Sequence, residues 1–147
     1  MTIIKKQFIQ FIIMFIVGVM FNPMNMLAFR LNDLYLSLTL IYGGLLMASN
    51  MIWAHEIIHY FIMGHLNKYV FITGILLSIF TFTLLRKQIL INDKQWLRRM
   101  ISHHSTALTT THKIINNTNN IELKKIADDI ITTQEKEIKI MKTMLQN

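Results

Sequence analysis

Two groups of side chains in this sequence have the types and spacing to hold an ion. The first lies in the last third of the chain and comprises Met100, His103, His104, Gln134, Glu137 and Met141. Imidazole with thioether ligands suits soft Cu(I), whereas His with Glu on facing helices suits Zn, Mn or Fe. The same groups also fit a metal-free hydrogen-bond network that satisfies buried polar atoms. The second group is His55-Glu56-Ile57-Ile58-His59. Its His-Glu-x-x-His spacing puts two imidazoles on one helix face, with a carboxylate able to polarise a zinc-bound water, as in zinc metallopeptidases. Met47, Met51, His55, His59 and Met63 also step by four along one ridge. A peptidase site needs a third protein ligand from another element. Asp33 and Asp93 fall in links between apolar stretches, and His65 follows His59 by six residues.

Two amphipathic helices must position the first group. Trp96, Met100, Ala107 and Ile114 recur at alternating three- and four-residue steps, with His103 and Thr110 in the skipped places. Leu123, Ala127, Ile130, Gln134, Glu137, Met141 and Leu145 follow the same spacing in the second helix. Asn116-Asn117-Thr118-Asn119-Asn120 between them is a run of turn formers, with Asn119 as N-cap and Glu122 three residues on. A tight antiparallel turn there sets His103 opposite Gln134, Met100 opposite Glu137 and Trp96 opposite Met141, with His104 on the flank. Asn92 caps the first helix, with Gln95 at its third position.

Trp96-Leu97-Arg98-Arg99-Met100-Ile101-Ser102-His103-His104, Ala107, and then Leu123, Ala127, Ile130, Ile131, Gln134, Glu137, Ile138 and Met141 carry a family resemblance. Over residues 93 to 145 the chain resembles domain-of-unknown-function family 305, whose pattern is an aromatic, Met-Ile-Pro-His-His, Ala, and later Gln-x-x-Glu-Ile-x-x-Met. Ser102 stands where the family has Pro, and Thr110 where many members have a second Met. The resemblance implies a ferritin-like helical domain, with Met100, His103, His104 and Met141 as copper ligands and Gln134 and Glu137 in support. It also implies a membrane-anchored subgroup in which three hydrophobic segments precede the hairpin.

The composition agrees with a membrane protein. The 147 residues are 52% hydrophobic, and the mean hydropathy is +0.39. The absence of cysteine excludes disulfides, iron–sulfur clusters, Cys-type zinc sites and thiol catalysis. One proline and five glycines leave little room for a loop-rich or all-β fold. Three spans are expected, at about 8–29, 34–63 and 69–87, each long enough for a bilayer core of about 30 Å. Asn22-Pro23 sits near one interface, where it kinks the first of them. The flanking Lys and Arg do not decide the orientation. The net charge is +7, and the hairpin lysines form a solvated face that suits anionic headgroups better than nucleic acid, for which no reading motif is present.

These readings make the chain all-α: a membrane domain over 1–91, then a ferritin-like antiparallel hairpin over 92–147 that is half of a four-helix bundle. A hairpin buries one stripe only, so a homodimer is expected to complete the bundle. The expected function is copper sequestration or tolerance in a multi-pass membrane protein without catalysis, with zinc as second metal. The alternatives are a metal-free membrane anchor or interaction protein, and an intramembrane metallopeptidase using His55, Glu56 and His59, with Met51 beside them.

Overall fold

The computed structural model describes residues 3–146. Among them there are only helices: α1 (Ile3–Met20), α2 (Pro23–Met26), α3 (Leu38–Met63), α4 (Lys68–Arg86), α5 (Asp93–Asn117) and α6 (Ile121–Gln146), with a single 3-10 turn at Leu31–Asp33. The expected all-α class holds. The helices fall into two compact units, residues 1–22 with 38–90 and residues 23–37 with 91–147. The expected division at residue 91 is thus incomplete, because residues 23–37 pack with the hairpin.

In the first unit α3 lies between α1 and α4 and packs on both. Glycines let the helices close up. A Cβ on Gly44 would lie 2.6 Å from Val19 Cγ2 and 3.3 Å from the Phe15 carbonyl oxygen, and one on Gly74 would lie 2.9 Å from the Trp53 amide nitrogen. Polar side chains between the helices are satisfied locally. Trp53 Nε1 donates to Ser78 Oγ at 3.2 Å, and Ser78 Oγ donates to the Gly74 carbonyl at 2.9 Å. Asn67 caps α4 by accepting from the Val70 amide. Gly44→Leu should therefore destabilise this unit by about 1–3 kcal/mol through overpacking. Gly43→Leu is the control, since a Cβ there meets nothing within 4 Å. Thermal unfolding of the two variants in detergent, followed by circular dichroism, checks the difference.

Two helical stretches, Lys5–Met26 and Lys68–Arg86, are long and apolar enough to cross a membrane. The expected middle span, 34–63, does not join them. It starts at Leu38 as α3 and carries Ser49, Asn50, His55, Glu56 and His59. Ser49 and Glu56 are buried within the unit, so these polar groups of α3 are shielded by the neighbouring helices.

The second unit is built on α5, which has three faces in use. Leu97, Ile101, His104, Leu108 and Thr111 face α6 and are buried, with Ile138, Met141 and Ala127 on the α6 side. A second stripe, Ser102, Ser105 and Thr106, receives the segment 23–37, which lies on α5 as a strap. Ser105 Oγ accepts from the Phe29 amide at 2.9 Å and donates to Asp33 Oδ2 at 2.7 Å. Ser102 Oγ donates to the Asp33 carbonyl at 2.9 Å and accepts from the Tyr35 amide. Asp33 has no exposed surface, and its Oδ1 lies 2.5 Å from Lys142 Nζ of α6. Arg30 pairs with Glu135, Phe29 stacks on His112, and Arg99 contacts Met24 Sδ.

The third face of α5 is the stripe that the sequence reading took for the seam. Trp96, His103, Thr110 and Ile114 are exposed. The true seam lies one residue later along the chain. On the same side of the hairpin α6 exposes Leu123, Ile126, Ile130, Ile140 and Met144. Five of its charged residues, Lys125, Asp128, Asp129, Lys136 and Lys139, are exposed on the outward face. Caps end both helices as their chemistry dictates: Asn92 Oδ1 accepts from the Gln95 amide, as expected, whereas Asn120, one residue past the expected Asn119, accepts from the Leu123 amide.

Candidate metal centre

His104 occupies the hairpin seam where His103 was expected. Its Nδ1 lies 2.8 Å from the Met100 carbonyl oxygen one turn earlier, and its Nε2 lies 2.7 Å from Glu137 Oε2 on α6. A carbonyl oxygen only accepts, so Nδ1 carries a proton and donates. Two acceptors do not bond, so the 2.7 Å approach of Nε2 to Glu137 Oε2 needs a proton between them: in the imidazolium form Nε2 donates to the carboxylate, giving a closed ion pair. A metal ion at Nε2 would take the place of that proton.

The His104–Glu137 pair borders an open cavity of about 350 Å³ lined by Trp96, Leu97, Met100, His104, Glu137, Ile140, Met141 and Met144. Three thioethers, one imidazole and one carboxylate therefore share one wall set. Four of the six expected ligands meet here: Met100, His104, Glu137 and Met141. His103 does not, being exposed on the neighbouring stripe, with its ring centroid 5.9 Å from that of His104. Desolvation, then Arg99 and His104, hold the His103 imidazole below the ordinary histidine range. Gln134 is half-buried with Oε1 lacking a partner among the described residues and is not part of the cavity wall. Its expected pairing with His103 is replaced by the His104–Glu137 contact, one turn away in register. Met144 was missed, although it lies seven residues past Glu137 and so on the same helix face.

The residues of the second sequence-derived group part company. Glu56 is buried, with Oε1 accepting from Gln7 Nε2 at 3.2 Å and Oε2 from the Asn67 amide at 3.0 Å. Its two oxygens thus tie α3 to α1 and to the α3–α4 link. His55, His59 and His65 border a cavity of about 520 Å³ together with Lys6, Gln7 and Gln10, and Met51 lies elsewhere. The rings of His55 and His59 are 6.3 Å apart, and those of His59 and His65 are 4.5 Å apart. Among the described residues no three His, Asp or Glu side chains converge as a metal-ligating group. The hairpin cavity differs in that its candidate donors are mostly thioethers.

Comparison with known proteins follows the same division. Residues 85–147 match the family described as Domain of unknown function (DUF305). The "Uncharacterized protein L153" of Acanthamoeba polyphaga mimivirus is 36% identical over 124 residues, covering 84% of this chain and 81% of that protein. No solved structure matches the chain. At 124 residues the L153 match is longer than the hairpin and takes in sequence before it. The chain belongs to the DUF305 family, with its family domain in the α5–α6 hairpin.

Proposed function

We propose that the α5–α6 hairpin binds a soft metal ion, Cu(I) first among them, and that the first unit holds it at a membrane. The observation that carries this reading is the meeting of Met100, Met141 and Met144 with His104 and Glu137 around one cavity. Thioethers bind borderline and hard ions poorly, so a set dominated by them selects Cu(I) over Zn, Mn or Mg. Zinc is the weaker competitor, since only His104 and Glu137 suit it. Met100, Met141 and Met144 would hold the ion with His104 Nε2, and Glu137 would balance its charge. The chemistry this supplies is sequestration.

Membrane attachment is supported by the two apolar helices, Lys5–Met26 and Lys68–Arg86, by the outward apolar side chains of α4, and by the shielding of Glu56 and Ser49 between helices. In this reading α3 crosses the bilayer between α1 and α4, its polar groups turned inward, and the protein is multi-pass.

X-ray absorption of the Cu(I)-loaded full chain in detergent tests the ligand set. The wild type should show sulfur together with nitrogen or oxygen around copper. Met100→Leu/Met141→Leu should lose sulfur scattering and His104→Ala the imidazole signature. A copper spectrum without sulfur would overturn the assignment.

A further inference from the structure

The exposed face of the hairpin is a paired surface. We propose that a second copy of this chain docks on it through a two-fold axis running along the hairpin, and that each copy's His103 completes the metal site of the other. The role of His103 rests on the copper reading above, whereas the pairing does not.

Three observations support a second copy as the occupant. The side of the hairpin that receives the strap is already covered by residues 23–37, through Ser102, Ser105 and Lys142, and the outward face of α6 is charged. The remaining side is apolar at helical spacing on both helices. Trp96 and Ile114 of α5 and Leu123, Ile126, Ile130, Ile140 and Met144 of α6 are each 36% to 56% exposed. Together they offer on the order of 600 Å² of apolar surface, at the top of the range for a monomer's largest patch and close to the ~800 Å² each partner contributes to a stable interface. A strict three-and-four repeat from Leu123 through Ile126, Ile130, Thr133, Glu137, Ile140 and Met144 is what a facing helix packs against.

The geometry selects one pairing. A two-fold along the helices sets α5 of one copy against α6 of the other, antiparallel, so that all neighbouring helices in the four-helix bundle run in opposite directions. Both copies then start α5 at the same end, as two chains held in one bilayer require. Levels along the helices are preserved by this axis. His103 is adjacent in sequence to His104, which contacts Glu137, so His103 comes level with Glu137 of the second copy. There it closes the cavity that Trp96, Met100, Glu137 and Met144 leave open in a single chain. The imidazole that this stripe exposes between Trp96 and Ile114 thereby acquires a function.

The test uses the full chain in detergent. Sedimentation should show a dimer at micromolar concentration for the wild type and a monomer of unchanged helicity for Ile126→Lys/Ile130→Lys, two exposed positions where charge leaves the fold intact. Cu(I) affinity should fall about 10-fold or more in His103→Ala, which stays dimeric. Mixing His103→Ala with His104→Ala chains should restore tight sites to about a quarter of the wild-type number, since random exchange gives one intact site per heterodimer. A monomeric wild type, including one whose α6 face binds anionic vesicles instead, overturns the proposal, as does a dimer that survives the lysine pair. A dimer broken by the lysines but binding no copper upholds the pairing, while overturning the role of His103 and the proposed function with it. Tight copper binding by a monomer overturns the pairing and the role of His103 and leaves the proposed function standing.

Discussion

Lys142→Met lowers the stability of the hairpin unit by about 3 kcal/mol, the largest loss expected of any single substitution on its surface. Asp33 has no exposed surface, and Lys142 Nζ at 2.5 Å is its counter-charge. Removing the cation strands a carboxylate that retains only the Ser105 hydroxyl. Breaking such a pair costs about 3–5 kcal/mol, and the lower end applies because the Lys142 side chain is 29% exposed and water reaches it. The double variant Asp33→Asn/Lys142→Met should recover most of the loss, since an amide oxygen still accepts from Ser105 and no charge is left unpaired. Denaturant unfolding of the three variants closes the cycle. If Lys142→Met alone were as stable as the wild type, the strap would not be held by this pair.

His104→Ala removes tight Cu(I) binding, by about 100-fold or more. The substitution deletes the only imidazole of the cavity and leaves Glu137 facing three thioethers. His104→Gln is the better-behaved companion because it keeps a polar group beside Glu137 while lacking the metal-binding nitrogen. Competition against a Cu(I)-specific chelator measures both. His104 is also buried in the seam, so the helicity of each variant is measured alongside, and a loss of affinity with the helix content intact is the expected result.

How far the sequence carried the reading differs between the two helices of the hairpin. Their existence, antiparallel turn and Asn92 cap follow from local chemistry, and the structure has them. The face was misjudged because α5 bears two stripes at three-and-four spacing, one through Trp96, Met100 and His103, the other through Leu97, Ile101 and His104. Periodicity alone does not say which of two neighbouring stripes meets the partner. The larger aromatic and the methionine drew the choice to the first. The second is the buried one, and the strap occupies the adjoining Ser102, Ser105 and Thr106 face. On α6 the expected stripe mixed the two real ones: Ala127 and Met141 point to α5, and Leu123, Ile130 and Glu137 toward the open side.

The strap itself was the least legible element. Residues 23–29 read as the end of a membrane span and 30–33 as a polar link, because they are apolar and then charged. Pro23 and Asn25 were the available signals, since proline opens the short α2 and separates it from α1. That Asp33 would be buried against Ser105 and Lys142, more than 70 residues away, depends on long-range packing that no local pattern encodes. Composition likewise began the middle span too early, at 34 where α3 starts at Leu38, and did not show that neighbouring helices shield Glu56 and Ser49. The His-Glu-x-x-His spacing is present as a helix motif, yet its carboxylate turns to Gln7 and Asn67, a commitment that only tertiary contacts reveal.

Metal content of the full chain, purified and exposed to Cu(I), decides between the two histidine groups most directly. Wild type and His55→Ala should each hold about one tightly bound copper per chain, as a single cavity with one imidazole allows, and His104→Ala should hold none. Copper retained by His104→Ala but lost from His55→Ala would contradict the account and move the metal to the cavity between α1 and α3.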